Sequence, residues 1–253
     1  MRTIAVLMAL ALMQRGFTVP FAPRPVASGC TAPTTTNRWL PSTSCSSGSA
    51  CLNDAVASNN AVQATHYPSY SATGGPNSTA DLSFNGSSNY LQFPTAIAQG
   101  SSETVTLYAI VEPETTSRSA LIAGGAAQDI GWADSNSTAH QWLANVNTAS
   151  IGSGTATLTA GSWYAIAITI QATASGTGNY AFYKESGGSY SSDGSATGVT
   201  AFPTSGSTSN QIGLYYTGTY AQFNLAELGY YNGVWNGTQL TAWATYAHCQ
   251  YGL

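Results

Sequence analysis

Two segments far apart in the chain alternate apolar and polar residues before an Asn-Gly turn. Residues 81–94 alternate up to Asn85-Gly86, and residues 222–235 repeat the pattern near the C-terminus. A period of two is the period of a half-buried β-strand, and Asn-Gly readily takes the positive φ angles of a tight turn. Residues 81–94 therefore predict a β-hairpin, and both segments constrain the chain to sheets that bury one face.

The length allows one large sandwich or two small domains, although all-β domains of this size are commonly single, and the composition is poor in charge. The chain has 253 residues, of which 43% are hydrophobic and only 6% are charged. Typical soluble proteins carry about 25% charged residues. The surface must therefore consist largely of Ser, Thr, Asn, Gln, Gly and Tyr, which favours an extracellular or assembled protein. A composition bias of the source lineage would give the same numbers.

The charges are unevenly distributed along the chain. Residues 1–38 hold four arginines and no acid, whereas residues 39–253 hold two basic residues and all ten acids, a net charge of −8. Four scattered arginines form no basic patch, and an acidic body repels phosphate. The sequence therefore predicts no nucleic-acid partner.

The first 38 residues are predicted to form a separate arm ahead of a domain at 39–253. An apolar run at 4–13 follows Arg2 and resembles the core of an export signal, although no typical cleavage site follows. The run is too short for a transmembrane segment. The alternative is a retained, Pro-rich arm that packs on a neighbouring subunit.

Runs of β-branched and aromatic residues mark further elements. They predict strands at 103–112, 119–124, 129–133, 141–147, 156–158, 163–171, 179–185 and 211–216, and a Gly/Ser loop at 186–198. A short helix is expected from a cap at Asn236 or Thr238 to His248.

Four motifs, in this order, resemble those of the laminin G-like domains in the concanavalin A-like lectin/glucanase superfamily. They are FNGSSNYL at 84–91, WYAIAIT at 163–169, QIG at 211–213 and LAELGYYN at 225–232. The resemblance covers roughly residues 39–249. It implies an all-β fold: a two-sheet antiparallel jelly-roll sandwich with a short C-terminal helix and an extended N-terminal arm.

Four cysteines favour two disulfides in an exported chain, with three connectivities open. Cys45 and Cys51 would close a small loop. The resemblance favours Cys30–Cys249 as the second bond, because the termini of such sandwiches lie close together. Free thiols are the alternative, and the spacing is not that of a zinc site.

The sequence offers no recognisable catalytic cluster. The hydrolases of the resembled superfamily carry an E-x-D-x-x-E cluster on one strand, and none is present. Glu112 and Glu114 share a face by spacing, but Pro113 between them indicates a strand end. Glu227 matches a structural position of the family, where the carboxylate caps neighbouring donors. We therefore expect a protein that is not an enzyme and has no cofactor.

A binding site is the better expectation, since lectin-like sites pair aromatic platforms with Asn or Asp. The candidates fall in two groups: Asp129, Trp132, Asp134, Asn136, His140 and Trp142, and then Tyr215, Tyr216 and Tyr220. The alternative is that both tryptophans point into the core and the polar residues only make turns. Asp134 and Asn136 would allow a calcium ion, but few carboxylates lie nearby.

These observations predict non-catalytic recognition of a glycan or a cell surface. The protein would be extracellular, secreted or on the cell surface, or on the surface of a virion. The alternative is a structural subunit of a virion decoration, fibre or cell-surface layer, which would pack against itself or neighbouring subunits. A glycoside hydrolase is the third option.

Overall fold

The computed structural model describes residues 29–44, 50–100, 104–114, 119–124, 128–134, 140–146, 149–174, 176–200, 206–215 and 218–253. Within them lie seventeen strands and one α-helix. The first strands in chain order are β1 (Asn37–Ser42), β2 (Cys51–Asp54), β3 (Ser69–Ser71), β4 (Asp81–Asn85), β5 (Leu91–Gly100) and β6 (Thr104–Pro113).

The next strands are β7 (Ser119–Gly124), β8 (Gln128–Asp134), β9 (His140–Val146), β10 (Ala149–Ser153), β11 (Tyr164–Ala174), β12 (Thr177–Ser186) and β13 (Ser189–Val199). The last are β14 (Gly206–Ile212), β15 (Leu214–Tyr215), β16 (Thr219–Tyr220) and β17 (Gln222–Tyr231). Helix α1 (Gly237–Tyr251) ends the chain, and a 3-10 turn (Pro76–Ser78) lies between β3 and β4.

The strands form two antiparallel sheets, which confirms the predicted β-sandwich. Sheet one has nine strands in the order β13-β12-β11-β6-β17-β1-β2, with β4 also paired to β17 and β3 to β4. Sheet two has six strands in the order β10-β9-β8-β7-β14-β5, and β15 with β16 forms a separate ribbon. The first and last regions of the chain thus lie together in sheet one.

The core between the two sheets is built from the side chains of both sheets that point inward. Trp39, Phe84, Phe93, Trp142 and Phe223 are almost fully buried there. The rings of Phe84 and Phe223, from paired strands β4 and β17, are stacked with centroids 4.3 Å apart. Each such side chain contributes roughly 1.5–3 kcal/mol by leaving water.

Helix α1 covers the outer face of sheet one. Asn236, one of the two predicted caps, begins the helix and also forms a capping box with Gln239, and Gly252 ends it in the left-handed conformation. The apolar face of α1 places Leu240 and Trp243 against β6 and β11. The helix extends to Tyr251, one turn beyond the expected end. In the described part of the chain, no helix is long and apolar enough to span a membrane.

Three of the predicted elements are wrong. Residues 81–94 do not form a hairpin, because β4 belongs to sheet one and β5 to sheet two. At the crossover, the Asn85 side-chain oxygen accepts backbone hydrogen bonds from Ser87, Ser88 and Asn89. The predicted loop at 186–198 is largely strand β13, paired with β12, and the predicted strand at 156–158 is irregular.

One predicted disulfide is present and joins the two ends of the described chain. Cys30 is bonded to Cys249, on the last turn of α1, across 219 residues of sequence. Cys51 is also disulfide-bonded. Cys45, its predicted partner, lies outside the described residues, as do residues 1–28 of the predicted arm.

Candidate functional site

The structure places the described members of the first predicted group on the paired strands β8 and β9, and Tyr215 and Tyr220 on the ribbon β15–β16. Trp142 on β9 is 1% exposed and belongs to the core, so its ring is not available to a ligand. Register pairs Trp132 with Trp142 and Asp134 with His140, whereas Asp129 pairs with Asn145. Asn136 and Tyr216 lie outside the described residues.

Three aromatic side chains form an accessible row beside the start of β5. The rings of His66 and Tyr90 are stacked with centroids 6.5 Å apart, and those of Tyr90 and Tyr220 lie 6.3 Å apart at 44°. His66 is exposed, and both tyrosines are half-buried. Of the predicted site residues, Tyr220 belongs to this row, while its neighbour Tyr215 pairs with Thr219 on the ribbon.

Three glutamine side chains, those of Gln63, Gln92 and Gln211, lie on segments next to the aromatic row. Gln92 on β5 pairs with Gln211 on β14, so both occupy the same face of sheet two. Gln63 and Gln92 line an open groove of about 350 Å³ with Val62, Ala64, Phe93, Pro94 and Ala96. This volume is at the lower end of the range for small-molecule sites, about 300–1,000 Å³. We name Gln63, His66, Tyr90, Gln92, Gln211 and Tyr220 the aromatic–amide surface.

Backbone hydrogen bonds hold the segments of this surface in place. Val62 and Gln92 exchange two backbone hydrogen bonds of 3.0 Å, and Tyr90 N donates to His66 O at 3.0 Å. The Asn89 amide donates to Tyr67 O at 2.8 Å. Two of the segments that carry the row, 62–67 and 89–92, are therefore fixed to each other, which limits the entropy lost when a ligand binds.

The aromatic–amide surface combines the two chemistries that neutral sugars require. Aromatic rings stack on the apolar faces of sugar rings, and amides both donate to and accept from hydroxyls. Sequence reasoning missed all of its members except Tyr220. One signal was available: Leu91 and Phe93 alternate inward, which places Tyr90 and Gln92 together on the outer face.

A cluster of carboxyl groups lies on the outer face of sheet one. The Asn224 amide donates to both Glu112 Oε2 and Glu114 Oε1 at 2.7 Å, because β17 and β6 place Asn224 opposite Glu112. Pro113 ends β6, as its position predicts. Burial and the neighbouring Glu112 carboxylate raise the pKa of Glu114.

Asp81 is a buried carboxyl near this cluster. It is 4% exposed, and its Oδ1 has no hydrogen-bond partner. A side chain at Gly74 would collide with that oxygen, since a Cβ there would lie 2.3 Å from it. Burial, with a smaller effect of Glu112, raises the pKa of Asp81 to about 6.

Asp81→Asn should therefore stabilise the protein at neutral pH but not in acid. Because the folded-state pKa of Asp81 lies above its unfolded value of 3.8, ionisation destabilises the fold as pH rises through about 6. From pH 4 to pH 7, the stability of the variant relative to wild type should rise by about 2–3 kcal/mol. Urea unfolding at pH 4, 5, 6 and 7 measures this difference, and a difference independent of pH would contradict the assignment.

Glu227 lies at the centre of a buried polar cluster beneath α1. Its carboxylate accepts hydrogen bonds from the hydroxyls of Tyr108, Tyr246 and Tyr251 at 2.5, 2.7 and 2.6 Å. Arg38 Nε lies 3.3 Å from Glu227 Oε1 but lacks hydrogen-bonding geometry, so this contact is an ion pair. Burial, followed by the Glu227 charge, raises the pKa of all three tyrosines.

The Glu227 cluster connects the helix to the sheet and is closed to ligands. Glu227 is 0% exposed, and Tyr246 and Tyr251 both belong to α1. Tyr108 lies directly over Gly229 on the paired strand, where any Cβ would collide with its ring. Glu227 therefore has the structural role of accepting neighbouring donors. Among the described residues, no group of three or more His, Cys, Asp or Glu could hold a metal ion.

Comparison with solved structures shows the fold of this chain in enzymes that act on glycans. An arabinofuranosidase complexed with arabinofuranosyl-α-1,2-xylobiose is 12% identical, with a TM-score of 0.59 over 88% of this chain and 60% of that one. A sialidase from Trypanosoma rangeli is 17% identical, with a TM-score of 0.54 over 89% of this chain and 35% of that one. This chain therefore spans less than two thirds of either enzyme. Neither a family model nor a curated protein matches the sequence.

The comparison corrects one expectation from the sequence, that the protein is not an enzyme. An α-L-arabinofuranosidase soaked with a cyclic sulfate inhibitor also shares the fold, with a TM-score of 0.57 and 11% identity over 88% of this chain and 60% of that one. The arabinofuranosidases and the sialidase are enzymes, so the absence of an E-x-D-x-x-E cluster is no ground for the expectation that this protein is not one. The likeness itself, below 25% identity, shows the fold alone.

Proposed function

We propose that the protein recognises glycans through the aromatic–amide surface. The observation that supports this function is the accessible row of His66, Tyr90 and Tyr220 beside a groove lined by two glutamine amides. Stacked rings bind the apolar face of a sugar, and amides select its hydroxyls. The glycan-bound arabinofuranosidase with the same fold is consistent with this proposal.

Tyr220→Ala and Tyr90→Ala should each weaken glycan binding at least about tenfold, which corresponds to 1.4 kcal/mol. Each substitution removes one stacking ring from the surface. Calorimetry with the best ligand from a glycan array measures the loss.

Tyr190→Ala is the matched control for these two variants. Tyr190 is also half-buried, but it packs edge-to-face on Tyr183 in sheet one, with centroids 5.7 Å apart. Its substitution should change stability and leave binding unchanged. Equal affinity of the Tyr90, Tyr220 and Tyr190 variants would contradict the proposed site.

Glycoside hydrolysis is the second candidate function, supported by the carboxyl pair that Asn224 joins. Glycosidases need one carboxylic acid to protonate the leaving oxygen and one carboxylate to act as base or nucleophile. Glu114, with its raised pKa, would be the acid and Glu112 the carboxylate. Release of nitrophenol from nitrophenyl glycosides, lost in both Glu112→Gln and Glu114→Gln, would support this role.

We further propose the finer classification that the sequence suggests. The sandwich would be the laminin G-like domain expected at residues 39–253, with its boundary to the expected arm at 1–38 moved towards the N-terminus, because β1 begins at Asn37. The protein would be extracellular, which is consistent with the Cys30–Cys249 disulfide, because such bonds persist in oxidising compartments.

A further inference from the structure

We propose that the aromatic–amide surface selects electrically neutral saccharides and rejects anionic glycans such as sialylated or uronate-containing chains. This inference rests on the proposed function, since it specifies the ligand class of the same surface. The charge of the ligand is a separate question from the fold, because the fold occurs both in an arabinofuranosidase and in a sialidase.

The described surface offers neither lysine nor arginine to an anionic ligand. None of the six strands of sheet two contains lysine or arginine. The described ranges hold one arginine and one lysine, and both are engaged elsewhere. Arg38 pairs with buried Glu227, and the Lys184 ammonium lies over the ring of Tyr164 in sheet one, 5.0 Å from its centroid.

An anionic sugar binds strongly only where its carboxylate or sulfate meets a positive charge. Charge-assisted hydrogen bonds from arginine or lysine are about twice as strong as neutral ones. A carboxylate placed between Gln92 and Gln211 would lose water without gaining such a partner. Sheet two also contains two acidic residues, Asp129 and Asp134 on β8, within a body of net charge −8 over residues 39–253.

A neutral sugar has no such penalty at this surface. Its hydroxyls exchange water for the amides of Gln63, Gln92 and Gln211, and its ring stacks on Tyr90 or Tyr220. Because neither interaction involves net charge, salt should not screen it. Affinity should therefore change less than about twofold between 50 and 500 mM NaCl.

The test compares neutral and anionic polysaccharides on the full chain. The neutral probes are arabinoxylan, xylan and mixed-linkage β-glucan, and the anionic probes are polygalacturonate, sialyllactose and heparan sulfate. Each is titrated against wild type, Tyr220→Ala and Tyr190→Ala at both salt concentrations. Arg118→Gln is included, because Arg118 directly precedes β7 and lies outside the described residues.

The expected result is salt-independent binding of at least one neutral probe, lost in Tyr220→Ala, with no anionic probe bound. Anionic binding that is lost in Tyr220→Ala or in Arg118→Gln would overturn the neutral selectivity while leaving glycan recognition intact. Anionic binding that persists in both variants would overturn the assignment of the surface. Failure of every probe would overturn the proposed function and this inference with it.

Discussion

Glu227→Leu should lower the free energy of unfolding by about 3–5 kcal/mol. Leucine fills a similar volume, so the expected loss comes from polarity and not from a cavity. Three buried hydroxyls, those of Tyr108, Tyr246 and Tyr251, would lose their acceptor, and Arg38 would lose its anionic partner and keep only the Tyr246 ring, 5.7 Å away. Urea unfolding at pH 7, followed by tryptophan fluorescence with the disulfides intact, measures the change.

Two further variants separate the contributions of charge and hydrogen bonding. Glu227→Gln keeps an acceptor and should cost only about 1–2 kcal/mol. Adding Arg38→Met to Glu227→Leu should recover at least about 1 kcal/mol, because the unpaired charge is gone. If Glu227→Leu alone costs less than about 1 kcal/mol, the cluster does not anchor α1 to the sheet.

The fold could be predicted from the sequence where burial imposes a pattern. Strands β6, β11 and β17 bury most of their residues in continuous runs, so their sequences are rich in apolar and aromatic residues. Strand β13 is mostly exposed and contains Ser and Gly, and it exists because β12 offers it a partner. An exposed edge strand of this kind shows no alternation of apolar and polar residues, so the sequence pattern does not predict it.

Pairing partners were the second limit of sequence reasoning. The Asn85-Gly86 turn is real, and Gly86 has φ of +68°. A turn, however, does not specify whether the following strand returns to the same sheet or crosses to the other one. The side chain of Asn85 accepts hydrogen bonds that stabilise the tight turn. Phe84 before the turn and Leu91 after it then belong to different sheets but pack into the same core.

The candidate site was the least predictable feature, because it draws on distant segments. Tyr90 and Tyr220 are 130 positions apart and meet only when the ribbon β15–β16 follows β14 past the start of β5. By contrast, Trp132 and Trp142 are only ten positions apart and suggested a platform, yet Trp142 faces the core. Proximity of aromatic residues in sequence says little about the face on which they lie.

Removing the Cys30–Cys249 bond should lower the free energy of unfolding by about 4 kcal/mol. The bond closes a loop that spans 219 residues, so it restricts the unfolded chain over most of its length. The double variant Cys30→Ala/Cys249→Ala leaves Cys51 and its disulfide unchanged. Urea unfolding under non-reducing conditions, compared with wild type, measures the loss.

The native state supplies the control for this last prediction. Leu240, Trp243 and Tyr246 pack α1 on sheet one independently of the disulfide, so the helix should stay docked in the double variant. Hydrogen exchange should therefore show α1 still protected, with protection reduced in parallel with global stability. The contradicting result is a loss of protection confined to α1, with global stability lowered by less than about 1 kcal/mol. The disulfide would then act by holding the helix on the sheet and not by restricting the unfolded chain.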